Sequence, residues 1–155
     1  MYSILIVDDD NHDIQKVKTI IDSTDIPVDE LYTANNISQA KEILSNKEID
    51  ILLCDIEMPQ GTGIELLEWG KDRSQDTVSV LLTCHSDFKY ARQALRLGCI
   101  DYLLKPVDPE ELNSVLKKAE NVLKKKTETL RINDYQQMWK RITPLVMESF
   151  WLNLI

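Results

Sequence analysis

The sequence predicts an α/β protein built as a doubly wound parallel sheet, and three observations predict it. Over the first 123 residues, compact apolar runs alternate with helix-period segments, which is the order of βαβ units and not of a sandwich or a bundle. Two of those runs lead directly into aspartate. Asn36, Gly98 and Pro109 stand where one element gives way to the next, as a helix cap, a helix stop and a helix start.

The elements follow in order along the chain. Ser3–Val7 is the first strand and leads into Asp8, Asp9 and Asp10; Ile14, Val17, Ile20 and Ile21 then recur at helical spacing. Leu31–Ala34 is a weaker second strand, followed by a helix with Ile37, Ala40, Ile43 and Leu44 on one face. Asp50–Cys54 is the third strand, with Asp55 at its end, and a tight turn at Gly61 and Gly63 leads to a helix bearing Ile64, Leu67 and Trp69. Thr77–Thr83 is the fourth strand, and Phe88, Ala91, Ala94 and Leu95 form the helix behind it. Ile100–Leu104 is the fifth, and Lys105-Pro106 follows it. Pro109, Glu110 and Glu111 open a long fifth helix through Leu112, Leu116, Ala119 and Leu123. Five strands alternating with five helices predict the flavodoxin-like sheet order 2-1-3-4-5, whose ligands gather outside the carboxyl ends of the strands.

Composition narrows the function classes. The chain has 155 residues, 43% hydrophobic and 28% charged, enough to bury a core and unlike a disordered segment. No apolar run approaches the ~18 residues of a membrane span, and the N-terminus lacks the basic start and cleavage site of a secretory signal. A cytoplasmic protein without membrane contact is the expectation. Twenty-six acids against 18 bases give a net charge of −8, which argues against nucleic-acid binding through the bulk surface. Residues 127–155 hold three acids and three bases, so the whole excess lies on residues 1–126. Cys54, Cys84 and Cys99 have no metal-type spacing and read as reduced thiols.

The strand ends collect Asp8, Asp9 and Asp10 from the first strand, Asp55 from the third, Thr83 from the fourth and Lys105 from the fifth. Converging carboxylates repel, and their desolvation needs a lysine or a divalent cation to offset it. Oxygen donors without a His or Cys cluster point to Mg²⁺ and away from zinc.

In the segments ILIVDDD, LLCDIEMPQGTGIELL, VLLTCHSD and GCIDYLLKPVDPEEL, in that order, residues 1–123 resemble the receiver domain of two-component response regulators. The resemblance implies that Asp55 is the phosphoacceptor, taking a phosphoryl group from a phosphohistidine on a sensor histidine kinase. It implies Mg²⁺ on Asp9, Asp55 and the Glu57 backbone carbonyl, with Asp8 acting through water. Lys105 and the Thr83 hydroxyl would each meet a phosphoryl oxygen, and Tyr102 would be the switch aromatic that turns inward with Thr83. A cis Lys105-Pro106 bond is part of the same pattern. Beyond autophosphorylation and autodephosphorylation, no enzyme activity is implied.

Some residues invite other readings. The Glu57 side chain either orients water or faces solvent. Cys84 replaces the family's usual small residue, and His85 beside it reads as a solvated loop histidine. His12 lies on a first βα loop, the wrong place for a phosphorelay histidine. Gly61 and Gly63 lack the helix-opening pattern of a phosphate-cradling loop, and aspartates stand where a flavin loop would need Ser, Thr or Gly. The alternative function is a metal-dependent phosphatase using an aspartyl phosphate, with Asp8 and Asp10 in an Asp-x-Asp arrangement. That alternative leaves LLCDIEMP and LLKP unexplained. A degenerate receiver would not be expected to keep Asp8, Asp9, Asp55, Thr83 and Lys105.

Residues 124–155 read as a helical linker or as the truncated start of a following region. Tyr135, Met138, Trp139 and Ile142 keep helical spacing, and an amphipathic helix is expected to about Pro144. A chain closing on WLNLI looks cut, since such a patch is rarely left bare. The run SDFKYARQALRLGCIDYLLKPVDPEEL and the tryptophan-bearing tail are similar to receivers of the YesN-like subgroup, in which an AraC-type helix-turn-helix domain follows. The expectation is control of transcription, with DNA contacted only by an output domain outside these residues. A homodimer through the fourth helix, fifth strand and fifth helix, or through the C-terminal helix, is a further expectation.

Overall fold

Strands that each end on a carboxylate bring those acids to one edge only when they run parallel, and here they do. The computed structural model describes residues 1–59, 61–72, 76–84 and 88–142, with side chains described at 1–59, 61–71, 76–84, 90 and 92–125. Five strands, β1 (Tyr2–Val7), β2 (Val28–Ala34), β3 (Ile51–Asp55), β6 (Val78–Thr83) and β7 (Asp101–Leu104), form a parallel sheet ordered β2-β1-β3-β6-β7. Counted along the chain, that is the expected 2-1-3-4-5. A short antiparallel pair, β4 (Glu57–Met58) with β5 (Gly61–Thr62), occupies the expected tight turn. The helices are α1 (Asn11–Asp22), α2 (Ile37–Asn46), α3 (Gly63–Asp72), α4 (Phe88–Arg96) and α5 (Pro109–Ile142).

The central strands are covered on both faces, so they read as nearly unbroken apolar runs. Leu5, Val7, Leu52, Cys54 and Leu81 pack on one face with Ala40 and Leu44 of α2, Leu67 of α3 and Ala94 of α4. By strand alternation Ile4, Ile6, Leu53 and Leu82 point the other way, and α1 and α5 bury Val17, Leu112 and Leu116. At the edge, β2 begins at Val28, ahead of the expected Leu31. Its exposed Asp29 and Glu30 mask the strand signal: the pairing with β1 shifts register here, from Tyr2↔Val28 to Ser3↔Glu30, so Asp29 falls at an irregularity and strict alternation is lost.

Local chemistry fixes the element ends. The Asn36 side chain accepts from the Gln39 N–H at 2.8 Å, while the Gln39 side chain accepts from the Asn35 N–H at 2.8 Å, so α2 starts on a reciprocal cap. After α4, Gly98 takes φ +91° and donates to the Leu95 carbonyl, and the Cys99 N–H reaches Ala94, which closes the helix on a left-handed residue.

Two units divide the chain, Met1–Glu120 and Asn121–Ile155. The first contains the sheet. The helical pattern that the sequence carries past Leu123 continues in the structure, where α5 runs unbroken to Ile142, since no Gly or Pro interrupts residues 110–142. The terminal residues 143–155, with the WLNLI patch, lie outside the described residues. Among the described residues, no helix is long and apolar enough to cross a membrane.

Candidate functional site

Asp8 follows directly on the buried end of β1 and is itself 1% exposed. Its N–H donates to the Ala34 carbonyl at 3.0 Å, and its Oδ1 accepts from the Asp10 N–H at 3.0 Å, so the chain turns at once. That turn leaves Asp9 exposed and makes Asp10 the cap of α1, its Oδ1 accepting from the His12 N–H at 2.9 Å. The Asn35 side chain ties the loop to β2, donating to the Asp8 carbonyl at 3.3 Å and to Asn11 Oδ1 at 2.7 Å.

Asp55 ends β3 with 6% of its surface exposed. One carboxylate oxygen each from Asp8, Asp9 and Asp55 lies within 4.8 Å of the others. Thr83 closes β6 and is buried; its carbonyl accepts from the Lys105 N–H at 2.7 Å. Lys105 sits beyond β7 before a cis bond to Pro106. Its ammonium donates to Asp8 at 2.5 Å and to Asp13 at 3.1 Å, and lies 3.4 Å from Asp55 Oδ2.

The electrostatics follow from this placement. Burial, reinforced by the Asp8 charge, pushes the Asp55 carboxyl from its ordinary 3.8 up to about 6, against the opposing pull of Lys105 and the Glu57 N–H. Asp8 is raised as well, again chiefly by burial. Burial alone would lower Lys105; the hydrogen bond to Asp8 and the charges of Asp55 and Asp8 outweigh it and hold the ammonium above its usual range. Asp8, Asp13 and Asp55 thus face one ammonium, and Asp9 adds a further carboxylate beside Asp8 and Asp55. Three hard oxygen donors with surplus negative charge suit Mg²⁺, so the residues present fit that ion.

Gly63 opens α3 at the closest backbone approach in the site. A Cβ there would stand 2.6 Å from the Asp55 carbonyl oxygen and 3.2 Å from Cys54 Sγ, so the chain behind Asp55 admits only glycine. Tyr102, in β7, is half-buried against the core and borders an open groove of about 800 Å³ with Leu104, Pro106, Glu110 and Val115.

The structure brings together Asp8, Asp9, Asp55 and Lys105 from the sequence-predicted set, with Thr83 joined to Lys105 through the backbone. The Glu57 side chain is exposed and His12 is exposed. His85 lies outside the described residues. Cys54 and Cys99 are buried and Cys84 is exposed, all three as free thiols. Asp10, which the phosphatase reading needs beside Asp8 as an acid, is occupied in capping α1. Sequence reasoning missed Asp13, because an acid in a first helical turn already has an explanation in the helix dipole. It also missed Asn35, whose role is visible only once β1 and β2 are paired.

Comparison with known proteins agrees with the geometry. The family model described as response regulator receiver domain matches residues 4–117. The chain is similar to the transcriptional regulatory protein NatR of Bacillus subtilis (strain 168), 33% identical over 83% of this chain and 53% of that one. It is 30% identical to the uncharacterized transcriptional regulatory protein YesN of the same organism, over 84% of this chain and 37% of that one. The regulatory protein AtoC of Escherichia coli (strain K12) is 33% identical over 75% of this chain and 24% of its own length. The chain therefore spans from about a quarter to about half the length of these curated relatives. Among solved structures, the signal receiver domain of an HD domain-containing protein from Pseudomonas fluorescens Pf-5 aligns with TM-score 0.71 at 29% identity, over 77% of this chain and 94% of that one. A response regulator receiver domain protein from Clostridium thermocellum aligns with TM-score 0.71 at 26% identity, over 82% and 98%.

Proposed function

This chain belongs to the response regulator receiver domain family, and from that premise we propose that it is a phosphorylation switch with Asp55 as its phosphoacceptor. The observation that carries the proposal is the convergence of Asp8, Asp9 and Asp55 within 4.8 Å, with the Lys105 ammonium 3.4 Å from Asp55. The donor is a phosphohistidine on a sensor histidine kinase. Asp55 presents a carboxylate oxygen in line with the phosphorus; the bond from that oxygen forms as the bond from phosphorus to the imidazole nitrogen breaks. Phosphoryl transfer of this loose kind asks for positioning and charge neutralisation, not for a proton-transfer apparatus.

Asp9, Asp55 and the Glu57 carbonyl would hold Mg²⁺, with Asp8 acting through water, and the ion would neutralise charge on the transferring phosphoryl oxygens. Lys105 pairs with one phosphoryl oxygen and the Thr83 hydroxyl with another. The phosphoryl group carries about −1.5 to −2 charges where the Asp55 carboxylate carried −1, and spreads them over three oxygens further into the site. Thr83 is drawn toward that charge, and Tyr102 follows into the space it leaves. The surface of α4, β7 and α5 thereby changes its preferred partner, a second copy of the chain included. The N-terminal domain is assigned to residues 1–123 and the linking region to 124–155. In the whole protein, the output is control of transcription through an AraC-type DNA-binding region; the likeness to the transcriptional regulatory proteins NatR and YesN supports the transcriptional part of this reading.

Incubating the chain with Mg²⁺ and acetyl phosphate, or with fluoroberyllate, tests this. Label is expected on Asp55 and absent from Asp55→Ala. Label on Asp8, or steady turnover of phosphate esters, would establish a phosphatase instead.

A further inference from the structure

Asp13 has no part in the reading above, yet its carboxylate grips the lysine on which that reading depends. It lies in the first turn of α1 and in sequence stands 92 residues from Lys105. Its Oδ2 accepts from Lys105 Nζ at 3.1 Å, and the lysine side chain is only 9% exposed. A first-turn acid is favoured by the helix dipole without any cation, so the dipole explains why an acid is tolerated here. It does not explain why the side chain turns to Lys105, which already has Asp8 at 2.5 Å and Asp55 at 3.4 Å. Asp13 is also the more open of these partners, 29% exposed against 2% for Asp8. With Lys16, Val17, Cys84, Lys105 and Pro106 it lines a cleft of about 260 Å³ beside the site.

We propose that Asp13 is a positioning residue that holds Lys105 in the unphosphorylated state and so restrains phosphoryl uptake. The proposal rests on the assignment of Asp55 and Lys105 given above. Two effects act together. Lys105 must give up part of its hold on Asp13 to meet a phosphoryl oxygen. The Asp13 charge also stands 3.1 Å from the ammonium that Asp55 approaches to 3.4 Å, close enough to the site to repel an anionic donor and attract a divalent cation. Removing that charge therefore has opposite consequences for the two ligands of one site: the anion binds more tightly and the cation more weakly.

The opposed signs make the test. Binding of Mg²⁺ alone, and of fluoroberyllate at saturating Mg²⁺, is measured by calorimetry on the 155-residue chain as wild type, Asp13→Asn and Asp13→Glu, with the melting curve of each recorded. Asp13→Asn is expected to weaken Mg²⁺ binding by about threefold or more and to strengthen fluoroberyllate binding by about three- to tenfold, a range set by screened charge interactions at this spacing. Asp13→Glu restores both constants toward wild type. Loss of both affinities together, or no change in either, overturns the proposal and leaves Asp13 as a helix-start acid. Should Asp13→Asn fail to fold, Asp13→Ser takes its place with the same two readouts. Failure of the underlying assignment looks different: wild type itself would take up no fluoroberyllate, or Asp55→Asn would take it up equally well.

Discussion

A carboxyl that is buried and close to a second carboxyl titrates late, and Asp55 reaches about 6 from an ordinary 3.8. The folded-state value is raised, so the contribution favours folding below about pH 4 and is lost as pH rises through 6. Without divalent cation, Asp55→Asn is therefore expected to gain stability relative to wild type on going from pH 4 to pH 7, by on the order of 2 kcal/mol. Urea unfolding in chelator at a series of pH values measures the difference, and a constant offset across that range would contradict it. The same residues show how far a sequence can be read at this scale. Asp8, Asp9, Asp55 and Lys105 were legible because each follows an apolar run and parallel strands share a carboxyl edge. Asp13 was not, because its partner lies across the fold and nothing local marks the pairing.

Backbone conformation sets the constraints on individual elements, and two glycines separate its two kinds. Gly63 begins α3 under steric contact with the Asp55 carbonyl oxygen, Cys54 and Leu81, whereas Gly98 has open space but a positive φ. Gly63→Ala is expected to cost about 3 kcal/mol, as overpacking against backbone does, and Gly98→Ala about 1 kcal/mol of conformational strain. Chemical denaturation of both variants checks the ranking, and equal costs would mean that α3 can shift away from Asp55. Elements were legible where both faces of a strand are buried. β2 was read short because its exposed acids conceal the pattern, and the β4–β5 pair was read as a turn because two-residue strands have no period to detect.

For the molecule as a whole, the buried core among the described residues ends at Ala119, and the first unit ends at Glu120. A chain of residues 1–126 is expected to melt in one cooperative transition within about 3 °C of the full chain, and to bind fluoroberyllate equally well. Calorimetry of the two chains tests this; a broad or strongly lowered transition would assign part of the folding energy to residues beyond 126. The architecture was legible because alternation of strand and helix admits few right-handed parallel arrangements. The continuation of α5 past Leu123 was legible too, since the helical pattern carries outward there and no residue breaks it before Ile142.

The two borders of the sheet have a consequence of their own. An unpaired strand border is a template on which another chain can polymerise. Along β2, Asp29 and Glu30 are exposed side by side, so a second β2 laid against it would set like charges together. At the other border β7 is only four residues long and offers few backbone groups. The sheet is thereby guarded at both ends against fibril growth.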